Sequence, residues 1–352
     1  MAGDLPSQIR RIIGEGLLSV KLIIFICLVN NGYMRYSLRQ LEVFVAIGRQ
    51  ESVSRAAEAL SLTQSATSMA LAELERQFNT RLFDRHGKRL QLNERGREIL
   101  PHAMALLDRA AQLEEMLAGD VTAGSLRLGA TLTIGNYLAT LLIGEYMRRY
   151  PGSRVQLGVY NTALVVDQVA HFKLDFGMIE GDFHHPDLEI TPWVNDELVV
   201  FAAPGHPLLG RQGLTVEDLA DQAWILREQG SGTRQVFDAA FRHVLPCLDV
   251  KLELEHTEAI KRAVEAGMGI GCISRLALRD AFARGSLVPL DLPGVDLQRQ
   301  FNFVFHRQKF LSASINAFLA ICREATRSVD RSDQIVFHGP DGRRIDFGQR
   351  SE

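Results

Sequence analysis

Gln64, Ser65, Ser68 and Met69 share one side of a helix if residues 64–78 are helical, because they recur at offsets of one, four and five residues. An exposed helix usually carries Lys and Glu on such a face, yet the first charge here is Glu73. Amides read adenine edges and small side chains permit close approach, so the face suits the major groove of double-stranded DNA. The plainer alternative is a helical hairpin whose small residues serve packing. Just downstream, Arg81, Arg85, Lys88, Arg89, Arg95 and Arg97 oppose only Asp84 and Glu94, a charge of +4 over 17 residues. Such a cluster neutralises phosphates without reading sequence.

A second chemistry is anion binding. Thr131-Leu132-Thr133 stands between a strand-like and a helix-like run, so two hydroxyls and a helix start can converge on one oxyanion. Gln229-Gly230-Ser231-Gly232-Thr233-Arg234 repeats the arrangement. There Gly230 and Gly232 permit close backbone approach, Ser231 and Thr233 donate, and Arg234 supplies charge. Glu180 would favour a protonated ligand or pair with Arg234. Taken singly, each segment is equally a capped helix start that holds nothing. Two of them at corresponding places favour a ligand between them. Neither contains an aromatic residue before Tyr137, so a small oxyanion or carboxylate fits better than an apolar effector.

Catalysis finds no support. There is no Gly-x-Ser-x-Gly elbow and no P-loop, and the ten histidines form no ligand-spaced helical pair. Gly267-Met-Gly-Ile-Gly follows a helix and enters a strand, the wrong order for a dinucleotide fingerprint. The four cysteines form no metal cluster and imply a reducing compartment. We therefore expect no enzymatic activity, no metal and no cofactor, in a cytoplasmic protein.

The reading face needs elements to hold it. Ala56, Ala57 and Leu60 give a first short helix its apolar side, and Ser61-Leu62-Thr63 interrupts the pattern. Thr63 is a good N-cap for the second helix, whose stripe is Thr67, Leu71, Leu74 and Phe78. Upstream, Ser37-x-x-Gln40 is a capping box for a helix presenting Leu38, Leu41, Phe44 and Val45 to a core. Short alternating runs around His86-Gly87-Lys88 predict a hairpin with a basic tip, a wing. Asn93 then caps a long helix reaching about Gly119, bent near Pro101. Its residues Ile99, Ala103, Leu106, Ala110, Leu113 and Leu117 form a coiled-coil seam, read as a dimerisation surface. Packing against its own domain is the alternative.

At 352 residues the chain has room for two or three domains, and a net charge of −3 excludes wholesale nucleic-acid coating. Residues 1–35 read as an extension, either a mis-called start or a dispensable segment, with a membrane anchor the minority alternative. Its apolar run Leu17–Val29 is 13 residues long and contains Lys21, too short to span a bilayer. A winged helix-turn-helix occupies 36–93 and the long helix 94–119. From 120 to 327 strands alternate with helices, an α/β pattern that leaves one lobe, builds a second and returns. We place the first lobe at 125–195 and 296–327 and the second at 196–295. The tail, 328–352, is polar and read as loosely ordered.

The segment LRQLEVFVAIGRQESVSRAAEALSLTQSATSMALAELERQFNTRLFDRHGKRLQLNERGREIL resembles the winged helix-turn-helix of LysR-type transcriptional regulators over its whole length. TLTIGNYL, DELVVFAAPGHPL, LREQGSGTRQVFD and EAIKRAVEAGMGIGCIS resemble that family's periplasmic-binding-protein-like (type 2) effector domain, above all its YeiE, CysL and CbbR-like branch. The resemblance implies a homodimer assembling to a homotetramer on promoter DNA, with RNA polymerase a candidate partner and a small anionic co-inducer between the lobes. Sulfur oxyanions are first candidates for that co-inducer. Carried over, Gln64, Ser65 and Ser68 would face the bases, Thr63 and Met69 would also lie in the DNA contact, and Arg81, Arg85, Lys88 and Arg89 would serve the wing and backbone. Many relatives carry Arg where Met69 stands, which bears on the operator sequence. The competing reading is a solute-binding protein using only the two-lobed part.

Overall fold

The computed structural model describes residues 34–86, 89–118, 125–181, 183–338 and 344–345. The expectations for residues 1–33, for Lys88 and for the linker at 119–124 lie outside the described residues. The chain divides into two compact units between Leu107 and Asp108.

The first unit comprises α1 (Leu38–Gln50), α2 (Val53–Ala59), α3 (Gln64–Gln77), β1 (Phe83–His86) and β2 (Arg89–Leu92), and the start of α4 (Glu94–Ala118). The Ser37 hydroxyl accepts from the Gln40 amide at 3.2 Å, and Gln40 Oε1 accepts from the Ser37 amide at 2.8 Å, so α1 opens on a closed capping box. Leu41, Phe44, Val45, Ala56, Ala57, Leu71 and Leu74 are buried together with Thr67. Two residues expected on that side are exposed instead. Leu38 sits in the first turn of α1, and Phe78 lies just past α3, with its ring centroid 6.1 Å from that of Tyr36. β1 and β2 pair antiparallel from Phe83↔Leu92 to His86↔Arg89. Asn93 Oδ1 accepts from the Gly96 amide at 2.8 Å and opens α4. Leu100, Ala103 and Met104 of α4 are buried, whereas Leu113 and Leu117 are exposed at 56% and 79%.

The second unit contains a mixed sheet in the order β4-β3-β5-β11-β6-β9-β7-β8, with the short β10 (Val288–Pro289) also on β6. In the first lobe β3 (Ser125–Thr131), β4 (Arg154–Tyr160) and β5 (Phe176–Glu180) run parallel. In the second, β7 (Ala223–Arg227) lies parallel to β8 (Asp249–Leu254) and β9 (Ile270–Ser274). Two long strands join the lobes. β6 (Leu188–Ala202) pairs with β11 (Gln298–His306) as far as Glu197↔Gln298, and from Leu198 onward with β9. The change of partner thus falls at Glu197–Leu198.

Helices follow the strands. A short α5 (Leu132–Ile134) runs through a π-helical turn (Gly135–Ala139) into α6 (Thr140–Arg149), and α7 is Thr162–Ala170. The second lobe adds α8 (Gly232–Ala240), α9 (Thr257–Glu265) and α10 (Arg275–Ala283), and α11 (Ala313–Thr326) closes on the first lobe. Each lobe has its own aromatic core: Tyr146, Phe176, Phe303 and Phe318 in one, Trp224, Phe237 and Phe241 in the other.

β6 runs from Leu188 through Pro192, a residue that weakens its first half as a strand in the sequence; the register shift against β11 at Phe301/Asn302 accommodates it. One expectation needs correction. The tail is not loose throughout: a 3₁₀ turn at Ser332–Gln334 is docked, with Ser332 and Ile335 fully buried.

Candidate nucleic-acid interface and effector cleft

The reading helix is held by its start and its buried side. Thr63 Oγ1 accepts from the Ala66 amide at 3.1 Å, and Thr67 Oγ1 donates to the Thr63 carbonyl at 3.0 Å. Ser61 turns the chain with φ +53°, and Arg39 Nη2 donates to the Leu60 carbonyl at 3.0 Å, tying the turn to α1. With Thr67, Leu71 and Leu74 inward, Thr63, Gln64, Ser65, Ser68 and Met69 are all exposed. Arg81 and Arg85 are exposed as well, with no ion pair among the described residues. Arg89 is in β2 beside the hairpin tip. The resulting surface presents neutral hydrogen-bonding groups along α3 and free positive charge beside them, the division of labour that groove readers use.

The cleft is built from strand ends and helix starts of both lobes. Thr131 ends β3 and Thr133 lies two residues later in α5, Glu180 ends β5, and Ser231, Gly232 and Thr233 open α8. All are buried. Their centre is Arg299, a residue that no sequence motif marked. Its Nη1 donates to Glu180 Oε2 at 2.7 Å and to Thr233 Oγ1 at 2.8 Å, and its Nε donates to Asp196 Oδ2 at 2.7 Å. Nη2 reaches Thr133 Oγ1 at 3.4 Å. Glu180 also accepts from the Thr133 amide at 3.0 Å and from the Thr233 hydroxyl at 3.2 Å. Asp196 Oδ1 takes the hydroxyls of Ser274 and Ser332 at 2.7 and 2.6 Å.

Burial pushes the Glu180 carboxyl up, but the charges of Arg299 and Arg227 with the Thr133 and Thr131 groups outweigh it and leave Glu180 below the usual range. For Asp196 burial wins over Arg299 and the two serines, and its carboxyl sits above the usual range. Burial also raises the neighbouring Cys272 thiol, to about 12, so that sulfur is a protonated core group. One cation between two carboxylates leaves no surplus positive charge at this point. Free donors remain nonetheless. The hydroxyls of Thr131, Ser231 and Thr257 are buried with no hydrogen-bond partner of ordinary geometry. Thr131 and Ser231 are the N-caps of α5 and α8 without capping them, and Thr257 opens α9.

The expected pairing of Arg234 with Glu180 is absent. Arg234 turns away to Asp238 at 2.7 Å, Glu253 at 2.8 Å and the Arg227 carbonyl at 3.0 Å, and fixes α8 on β7 and β8. Gly230 borders the cleft through its backbone, its carbonyl accepting from the Ala163 amide at 3.4 Å, across the lobes, while Leu132 is buried in α5. Gly232 packs tightly on the other lobe, since a Cβ there would lie 2.3 Å from the Glu180 carbonyl oxygen. On another side Tyr137 of the first lobe meets Glu258 of α9, and Lys261 donates to Glu258 at 2.7 Å. Arg299 had one signal in the sequence. Strand alternation puts it on the same face as Phe301, Phe303 and Phe305, where a charge needs buried partners.

Among the described residues no cluster is placed to hold a metal, and no helix is long and apolar enough to cross a membrane. Residues 38–97 match the bacterial regulatory helix-turn-helix protein, lysR family, and residues 119–327 the LysR substrate binding domain. Over 292 residues the chain is 43% identical to the HTH-type transcriptional regulator YeiE of Escherichia coli K12, spanning 83% of this chain and 99% of that one. The regulatory domain of Synechocystis CcmR, solved in complex with 2-PG, is 32% identical with a TM-score of 0.55, and covers 58% of this chain and 99% of its own. A full-length OxyR of Pseudomonas aeruginosa has the same fold at a TM-score of 0.64 and 22% identity, covering 83% and 96%. These are regulators rather than enzymes, and the DNA-binding match sets aside the solute-binding alternative. The chain belongs to the LysR family of bacterial transcriptional regulators, with an N-terminal helix-turn-helix domain and a LysR effector-binding domain.

Proposed function

We propose that this regulator reads promoter DNA through Gln64, Ser65 and Ser68, with Thr63 and Met69 at the edges of that contact and Arg81, Arg85, Lys88 and Arg89 on the phosphates. In the cleft it binds a small anionic co-inducer, a sulfur oxyanion or a carboxylate. It works in the cytoplasm as a homodimer joined through the α4 seam and assembling to a homotetramer, with RNA polymerase a candidate partner. The observation that carries the effector reading is a pair of buried hydroxyls at two helix starts beside the Glu180–Arg299 pair, Ser231 without a partner and Thr131 with only the Glu180 carboxylate, outside ordinary hydrogen-bond geometry. A buried hydroxyl without a partner is costly, and an oxyanion would satisfy it along with the positive ends of the helices. With Arg299 neutralised by Glu180 and Asp196, neutral donors must supply most of the contact. That the regulatory domain of CcmR takes 2-PG supports a small anion in the same family.

Calorimetry with sulfite, sulfate, thiosulfate, phosphate and small carboxylates tests this, on the wild type and on Thr131→Val with Ser231→Ala. At least one anion should bind the wild type and bind the double variant at least tenfold more weakly, about 1.4 kcal/mol. Equal binding of every anion to both proteins would remove the cleft assignment and leave DNA binding untouched.

A further inference from the structure

We infer that the C-terminal segment Arg331–Ile335, beyond the end of the matched substrate-binding domain at residue 327, is a working part of the effector site, with Ser332 positioning Arg299 through Asp196. The inference rests on the reading of the cleft as the effector site. Ser332 is fully buried, and its hydroxyl donates at 2.6 Å to the same Asp196 oxygen that takes Ser274 at 2.7 Å. The other Asp196 oxygen holds Arg299 Nε at 2.7 Å, and the far end of that guanidinium holds Glu180, Thr233 and Thr133. A continuous chain of hydrogen bonds therefore runs from the tail to both helix starts.

The segment is anchored on both sides of the lobe crossover. Ile335 is buried in the first-lobe core. Arg331 bridges to the backbone of Asn195 and pairs with Glu197 at 3.0 Å, and Arg279 of α10 donates to the Ile335 carbonyl at 3.2 Å. Residues 195–197 are the last of β6 paired with β11 before it passes to β9 at Leu198, so the segment fastens the strand beside the place where the lobes join. A strap serving only to cover apolar surface would need Ile335 but no buried hydroxyl aimed at a carboxylate. Losing that hydroxyl leaves a buried charged acceptor one donor short and frees Asp196, and with it Arg299, to shift.

The test uses the full-length protein as wild type, Ser332→Ala, Ile335→Ala and a chain ending at Asp330. Hydrogen–deuterium exchange is followed in peptides covering 131–133, 231–233 and α1 to α3, with calorimetric titration of sulfite and inorganic phosphate alongside. Ser332→Ala and the shortened chain should speed exchange at both helix starts about tenfold, with α1 to α3 unchanged, and weaken whichever anion binds by a similar factor. Ile335→Ala keeps the hydroxyl and should disturb the helix starts less than Ser332→Ala. Wild-type exchange at both helix starts in Ser332→Ala would overturn the inference. If the wild type binds neither anion, the effector reading fails for these probes while exchange alone still decides the role of Ser332.

Discussion

Arg299 concentrates the electrostatics of the cleft in one side chain. Its three nitrogens spread over two carboxylates and two hydroxyls, a fork that an ammonium does not reproduce. Arg299→Met would leave Glu180 and Asp196 buried without their cation, and we expect a loss of about 3–5 kcal/mol in denaturant unfolding. At the DNA surface the residues separate by role. Gln64→Ala and Ser68→Ala should each cost about 1–3 kcal/mol of discrimination between operator and random DNA. Arg85→Ala should weaken both DNAs alike and flatten the salt dependence, measured by fluorescence anisotropy at several ionic strengths. The exposed face of α3 was legible because helix periodicity fixes which side faces out once the buried side is known. Beyond the one charge that strand alternation leaves among phenylalanines, Arg299 and Asp196 were not, because their meaning depends on partners 66 to 166 positions away in the chain, which no local pattern encodes. Arg234 was misread for the opposite reason: its acid partners Asp238, one helical turn on, and Glu253, in the adjacent strand β8, compete successfully for it.

Among the elements, β3 is pinned at its start by Asp175. Burial raises this carboxyl, and Arg127 with Lys309 more than reverses the effect, so it titrates below the ordinary range. A carboxyl lowered in the folded state adds stability that is complete above the unfolded value, about 3.9, and is lost as pH falls through the folded one. Asp175→Asn should therefore be less stable than wild type at neutral pH, with the gap closing toward acid in thermal unfolding. Gly232 governs α8. In Gly232→Ala the new methyl meets the Glu180 carbonyl, so α8 must retreat from β5 and anion affinity should fall about tenfold or more at little cost to DNA binding by the first unit. On α4 the seam splits in two. Ala103 is buried within the first unit, Ile99, Leu106 and Ala110 are half-buried, and Leu113 and Leu117 stand exposed. Leu113→Glu with Leu117→Glu should therefore leave the subunit folded but lower the mass seen by light scattering to about half or less. The helices of the first unit were legible from their caps and apolar spacing, whereas Pro192 hides the first half of β6.

At the scale of the molecule, two units with separate cores serve one purpose only if the state of one alters the other. A ligand changes an equilibrium only when it binds the two states unequally. Here an anion seated among Thr131, Ser231 and the Glu180–Arg299 pair would touch both lobes, and so would favour one degree of closure. The alternation of strands and helices made this two-lobed plan legible from sequence. The docked tail was not legible, because a short polar stretch carries no periodicity, and its place depends on one serine and one isoleucine finding buried sites. The most direct test is the affinity of the full-length protein for DNA from upstream of its own gene, measured by anisotropy with and without the anion that binds best. The account predicts that the anion changes this affinity by about five- to 150-fold in the wild type, and that Thr131→Val with Ser231→Ala abolishes the change while preserving affinity without anion. An anion effect of the same size in both proteins, or none in the wild type, would contradict it.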